Sequence, residues 1–598
     1  MLLPYCTAVY MPFLTVHNAF DFAVHKSQLT ASVEALRDQN LLKIPVQGTF
    51  QHPKDTMAFG RIFCYVLGAF VFNAMAISAA SAPVVDLGYA TYSGSFNETT
   101  KTTEFLGIRF AAPPIGTLRW QPPHPPATTP GIQRALTQPA TCFFAGQGNA
   151  ATTPFRDNKF RKRDPFFPSE DCLFLNVYLP GQLSQNKRLP VVVWIHGGGY
   201  MAGSASGFTG KDIYDGKDLI RASNNGVVVV VIQYRLGLFG FLPGKEVKKN
   251  GGLNAGLLDQ QFALQWVQKN IHKFKGDPTQ VTIWGESAGA GSVLQHVIAN
   301  GGKTSPPLFR AAITSSSFLP SQYAYGDRIP QILYNDVVSQ TNCSSAFDTL
   351  ACLRKVDVQM LEAVNANIGN SGFFGTFVFV PVVDGELIRE RPTEALREKK
   401  VNGEIILTVT NTFEGDLFVD KKTPPDVDVA NYVAQLFPNF GAREIAAAAA
   451  QYKHLGSPVF QVTAIMGESI FICPTYYLLR AYGGRGFKSE FAVPPGGHGN
   501  DVAYYYPSGT PNGAPPFNNP AFVKAFSQSF MDFAMALNPN VKSDTSSITP
   551  RWGLWAGDNE MLFNRTEGGL PDIRAIKTSR ALLERCDFWQ SVGALSAQ

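Results

Sequence analysis

The chain has 598 residues, 45% of them hydrophobic and 16% charged, so it can bury a large core and is too apolar to remain disordered. A formal net charge of +5 is small for this length and argues against a dedicated nucleic-acid binder, which concentrates basic residues on one face. The densest basic run, RDNKFRKR from Arg156 to Arg163, reads as a solvated loop, with an anion-binding or protease-processing site as the alternative.

Residues 1–56 hold no motif and read as an extension that is non-native or unstructured. From Met57 the order is one arginine, a long apolar stretch and a small-residue exit, which predicts a signal peptide over residues 57–82, cleaved between Ser78 and Ala82. The length of the Ile62 to Ala82 run leaves a signal anchor as the alternative. Of the eight cysteines, Cys6 and Cys64 precede the cleavage region; Cys142, Cys172, Cys343, Cys352, Cys473 and Cys586 remain. An even number without C-x-x-C predicts disulfides in an oxidising compartment rather than a zinc site. Asn97, Asn342 and Asn564 open N-x-S/T sequons, consistent with a secreted, extracellular protein.

Downstream, PVVVWIH (Pro190 to His196), GVVVVVIQY (Gly226 to Tyr234) and EIILTVT (Glu404 to Thr410) are continuous β-branched runs, expected of strands covered on both faces. Between them, Leu257 to Ile271 places Phe262, Leu264, Trp266, Val267 and Ile271 largely on one helical face. Alternating strands and helices predict an α/β fold with a mostly parallel sheet, helices on both faces and long loop insertions, and residues 83–598 read as one such domain. Ligands in such sheets sit at the carboxyl ends of the strands.

VTIWGESAGAGSV, Val281 to Val293, places a serine between a strand and a helix. G-x-S-x-G alone is a weak signal, and MGESI at Met466 to Ile470 is a partial copy. The context gives it meaning: Gly285 and Gly289 let strand and helix approach around a strained Ser287, and the Ala288 N–H opens the positive end of the helix. HGGGY after VVVWI offers the N–H groups of Gly198 and Gly199 as further oxyanion donors; a dinucleotide loop is the rival reading, but GSASGFTG is no helix. The order serine, acid, histidine leaves His454 and His498 of the nine histidines, and the glycine-flanked His498 is preferred as the base. Glu414, just past EIILTVT, is the expected orienting acid, with Asp416 as fallback.

EDCLFLNV (Glu170 to Val177), WIHGGGY, YRLGLFGF, the run Asn254 to Val293 and PVVDGEL together resemble the type-B carboxylesterase/lipase family, cholinesterase-like α/β-hydrolases that include secreted fungal lipases, over about Val84 to Ser591. The resemblance implies an α/β-hydrolase fold, a triad of Ser287, Glu414 and His498, and bridges Cys142–Cys172, Cys343–Cys352 and Cys473–Cys586. It implies a small-molecule or lipid ester substrate, neither metal nor cofactor, and membrane contact only through an anchor or a lipid interface. The sequence departs from the family in three places. The loop Phe143 to Asp171 lacks the tryptophan that holds choline, and its Phe143, Phe144, Phe166 and Phe167 are expected either to cover the site or to pack on the surface. Phe413 precedes the acid where many relatives have aspartate, and TSSS from Thr314 replaces a QSG-like stretch. A non-catalytic binding protein on this scaffold and an amidase are the alternatives in function.

Overall fold

The continuous apolar runs become the middle of a sheet that is buried on both faces. The computed structural model describes residues 82–157, 168–183, 187–208 and 213–598. The extension, the signal segment through Ser81, Phe166, Phe167 and the basic run from Asn158 onward lie outside the described residues.

The strands are β1 (Val84–Asp86), β2 (Thr91–Ser93), β3 (Ser95–Asn97), β4 (Thr102–Arg109), β5 (Ile132–Arg134), β6 (Phe174–Pro180), β7 (Leu189–Ile195), β8 (Val228–Ile232), β9 (Gly276–Glu286), β10 (Ala311–Ser315), β11 (Ile405–Asn411), β12 (Gly486–Phe491), β13 (Asn559–Arg565) and β14 (Pro571–Lys577). Among the described residues, β1, β2 and β5 form a small sheet. The others form one large sheet in the order β14-β13-β12-β11-β10-β9-β7-β8-β6-β4-β3. Its centre, from β13 to β8, is parallel, and the flanking pairs are antiparallel.

Strand periodicity explains why the central runs are apolar throughout. On β7, Val191, Val193 and Ile195 join one core cluster while Val192 and Trp194 join the other. On β8, Val228, Val230 and Ile232 separate from Val229 and Val231 in the same way. Successive side chains point to opposite faces, so a strand with helices on both sides has no solvent-facing position for a polar residue. Helix Ala255–Asn270 supplies part of one cover through Leu257, Leu264 and Val267, and Trp284 stacks on Phe530 of helix Pro520–Ala536 at 5.4 Å on the other.

The six cysteines pair as Cys142–Cys172, Cys343–Cys352 and Cys473–Cys586. Asn97 and Asn342 are exposed; Asn564 is half-buried near the end of β13. Phe143 is buried and stacks on Phe239 at 5.0 Å, and Phe144 packs against the core, so neither covers the site. The same loop instead reaches the site through Ala145, Gly146 and Gln147.

Candidate active site

Four parallel strands deliver the candidate residues to one end of the sheet. β7 leads into Gly198 and Gly199, β9 into Ser287, β11 into Glu414 and β12 into His498. Ser287 occupies φ 57° and ψ −124°, a conformation that L residues rarely adopt, between β9 and helix Ala288–Gly302. Strain of this kind persists only where the surroundings over-determine it. Here they do: a Cβ on Gly285 would collide with the Gly289 backbone, and one on Gly289 with the carbonyl of Ile195. Two glycines are needed because the helix starts in contact with β7.

Glu414 is buried and accepts three hydrogen bonds: from His498 Nδ1 at 2.6 Å, from the Asn411 N–H at 2.6 Å and from Ser316 Oγ at 2.7 Å. The imidazole is wedged between Phe418 and Phe471, with ring centroids 4.9 and 4.5 Å away. Its other nitrogen, Nε2, has no hydrogen-bond partner among the described residues; Glu286 Oε1 lies 3.3 Å from it outside hydrogen-bond geometry. Ser287 and His498 line one cavity of about 410 Å³ together with Gly198 and Gly199. The N–H groups of Gly198, Gly199 and Ala288 donate to no backbone carbonyl among the described residues. Phe208, Phe377, Leu417 and Phe418 make much of the remaining wall apolar, and no tryptophan among the described residues lines it.

Electrostatics at the site follow from burial and from three clustered carboxyl groups. Burial works against a charged His498, but the hydrogen bond and charge of Glu414, helped by Glu286 and Asp501, raise its pKa above the ordinary imidazole value. Glu286 is pushed up to about 8, chiefly by burial; His498 opposes the shift while Asp501 and Glu414 add to it. Asp501 rises to about 6 for the same main reason, against hydrogen bonds from Asn411 and Tyr505 that favour its anion. An imidazole held by a carboxylate on Nδ1, whose Nε2 has no hydrogen-bond partner among the described residues and whose ring lines the same cavity as Ser287, is equipped to move a proton at Nε2. Among the described residues no three His, Cys, Asp or Glu side chains are grouped to hold a metal ion.

The carboxylesterase family model matches residues 81–589. The chain belongs to the carboxylesterase family. Among similar proteins, carboxylesterase patB of Penicillium expansum is 29% identical over 574 residues, covering 86% of this chain and 97% of that protein. Lipase 5 of Diutina rugosa is 32% identical, covering 81% and 92%. The crystal structure of Aspergillus niger EstA superposes with a TM-score of 0.76 at 29% identity, covering 87% of this chain and all of that one. The fold is therefore the α/β-hydrolase fold, and the protein is a carboxylic-ester hydrolase with small-molecule ester substrates.

Within this carboxylesterase, the other candidate residues lie away from the Glu414–His498 pair. Asp416 turns to solvent and pairs with Lys421 at 2.9 Å, and His454 is exposed. His196 and His296 are buried, with pKa values lowered to about 4 by burial, and bond to Gly197 O and Gln260 Oε1. In the MGESI copy, Ser469 sits in a continuous helical segment and bonds to Ile465 O, while Glu468 pairs with Arg585. No sequence pattern shows that Ser316 and Asn411 bond Glu414, or that Asp501, held by Asn411 and Tyr505, stands behind them. Asn411 Nδ2 bridges Ser316 Oγ at 3.2 Å and Asp501 Oδ1 at 3.1 Å. The one available signal was TSSS, whose Ser316 contacts the acid. Phe413 keeps its place through its backbone, its N–H donating to Gly496 O at 2.8 Å and tying the acid loop to the His498 loop.

Proposed function

We propose that this carboxylesterase is a secreted serine esterase or lipase in which Ser287 is the nucleophile, His498 the general base and acid, and Glu414 the residue that orients and charges the imidazole. The observation that carries this reading is the buried Glu414–His498 hydrogen bond of 2.6 Å beside a cavity that both His498 and Ser287 line. Ser287 Oγ attacks the ester carbonyl carbon as its proton passes to His498 Nε2. The carbonyl electrons move to oxygen, where Gly198, Gly199 and Ala288 donate hydrogen bonds. Collapse breaks the bond to the alcohol, which leaves with the proton from Nε2; water then repeats the sequence and releases the acid. Apolar walls at Phe377 and Phe418 favour acyl chains over charged groups, and the lack of a lining tryptophan weighs against choline esters.

Cleavage of a signal peptide at residues 57–82 would deliver the domain 83–598 to an oxidising compartment, and three disulfides and exposed sequons at Asn97 and Asn342 support that route. Residues 1–56 are taken as an extension outside the working domain. The test is hydrolysis of p-nitrophenyl esters from C2 to C16 by the purified protein beside Ser287→Ala. The expected result is turnover by the parent, loss in the variant, and an organophosphonate adduct on Ser287. Full turnover by a folded Ser287→Ala protein would sink the assignment.

A further inference from the structure

Asp501 is fully buried three residues past His498, and with Glu286 and Glu414 it puts a third carboxyl group around one imidazole. Among the described residues no lysine or arginine pairs with any of the three. Neutral donors hold Asp501 instead: Asn411 Nδ2 donates to Oδ1 at 3.1 Å and Tyr505 Oη to Oδ2 at 3.0 Å. Asn411, at the end of β11, also donates its N–H to Glu414 Oε1, so one residue grips both carboxyl groups. Tyr505 Oη lies 3.3 Å from Ser315 Oγ at the end of β10, and that Oγ accepts Trp284 Nε1 at 3.1 Å. A phenol has one proton. With that proton on Asp501, the Ser315 hydroxyl is left to donate to Tyr505, and three donors in series point toward one carboxyl group. The ring itself is buried among aromatics, stacked on Phe526 at 5.1 Å and edge-on to Trp284 and Phe530 at 4.6 and 5.0 Å. Phenylalanine would fill that space equally well, so packing gives no reason for the hydroxyl.

We infer that Tyr505 is a positioning residue for the Glu414–His498 pair: its hydroxyl holds Asp501 as a second anion beside the imidazole and, through Asn411, braces Glu414. This rests on the ester-hydrolase reading of the site and adds a control on its proton balance. The ionisable groups that face the imidazole are Glu414, Glu286 and Asp501, and all three favour its charged form. His498 takes that form when Ser287 gives up its proton. Without the phenol proton, Asp501 keeps only the donor Asn411 against burial and the charge of Glu414, which both favour its neutral form. A neutral Asp501 no longer supports the imidazolium, so the His498 pKa falls.

The test compares Tyr505→Phe, Asp501→Asn and the double variant with wild type in hydrolysis of p-nitrophenyl butyrate across pH. Tyr505→Phe is expected to lower kcat about three- to tenfold, part of what a hydrogen bond to a charged group contributes, and to move the acidic limb of kcat/KM to lower pH. KM should hold, because Tyr505 lies outside the cavity wall. In the Asp501→Asn background the same change should add nothing, since the hydroxyl acts through that carboxylate. Ser315→Ala, which leaves the phenol and removes its donor, should move the limb the same way by less and serves if Tyr505→Phe fails to fold. An unmoved limb in folded Tyr505→Phe, or an effect that persists in full beside Asp501→Asn, would overturn the inference. Proton NMR of the His498 Nδ1–H against pH reads the same shift without substrate. Ester turnover with an unmoved limb and resonance removes the role of Tyr505 and leaves the esterase; a shifted resonance in a protein that turns over no ester keeps the coupling and removes the proposed chemistry.

Discussion

Replacing Gly289 by alanine sets two physical effects against each other. Gly289 is the second residue of helix Ala288–Gly302 and lies outside the positive-φ glycines, so intrinsic helix propensity favours alanine by about 1 kcal/mol. Close approach demands the reverse. A Cβ at this position would overlap the Ile195 carbonyl oxygen and sit 2.9 Å from the His196 oxygen. Both obstacles are backbone, and Ile195 is hydrogen-bonded into the sheet between β8 and β9, so neither can swing aside. The helix must move instead, and the Ala288 N–H moves with it. Overpacking of this kind typically destabilises by about 1–3 kcal/mol and occasionally more, and a displaced oxyanion donor lowers kcat by about 10² to 10³. Gly289→Ala should therefore melt below wild type at a fixed scan rate and hydrolyse p-nitrophenyl butyrate at least a hundredfold more slowly. A variant as stable as wild type, with undiminished kcat, would refute the argument that strand–helix contact dictates this glycine.

Two further predictions follow from the same geometry. Burial lowers the His498 pKa and Glu414→Gln removes the main influence that raises it, leaving only the weaker pull of Glu286 and Asp501, so the acidic limb of the kcat/KM profile should move to lower pH. The rate on the plateau should fall by about 10⁴, as expected when the orienting acid is replaced by an amide; an unmoved limb would contradict the assigned contact. Opening Cys473–Cys586 with paired alanines frees residues 113 apart, against 9 for Cys343–Cys352, and by chain entropy should destabilise by about 2 kcal/mol more. Thermal midpoints of the two double variants under non-reducing conditions test that order.

Much of this protein is legible from short-range pattern. Runs such as Val191 to Ile195 can only be strands covered on both faces, and the sequence around Ser287 carries its own geometric reason, since Gly285 and Gly289 act within a few residues of it. What stayed open in the sequence were choices between neighbours in the chain, Glu414 or Asp416, and between distant loops, His454 or His498. In the tertiary structure β11 and β12 lie side by side in parallel, which brings the loops of Glu414 and His498 together and leaves Asp416 facing water, paired with Lys421. The support of the acid is still less local: Ser316 meets Glu414 across 98 residues and Asn411 meets Asp501 across 90. No periodicity encodes such contacts, because they depend on the order of strands in the sheet. Burial then makes them matter, since a carboxylate shut away from water has to find its hydrogen bonds within the protein.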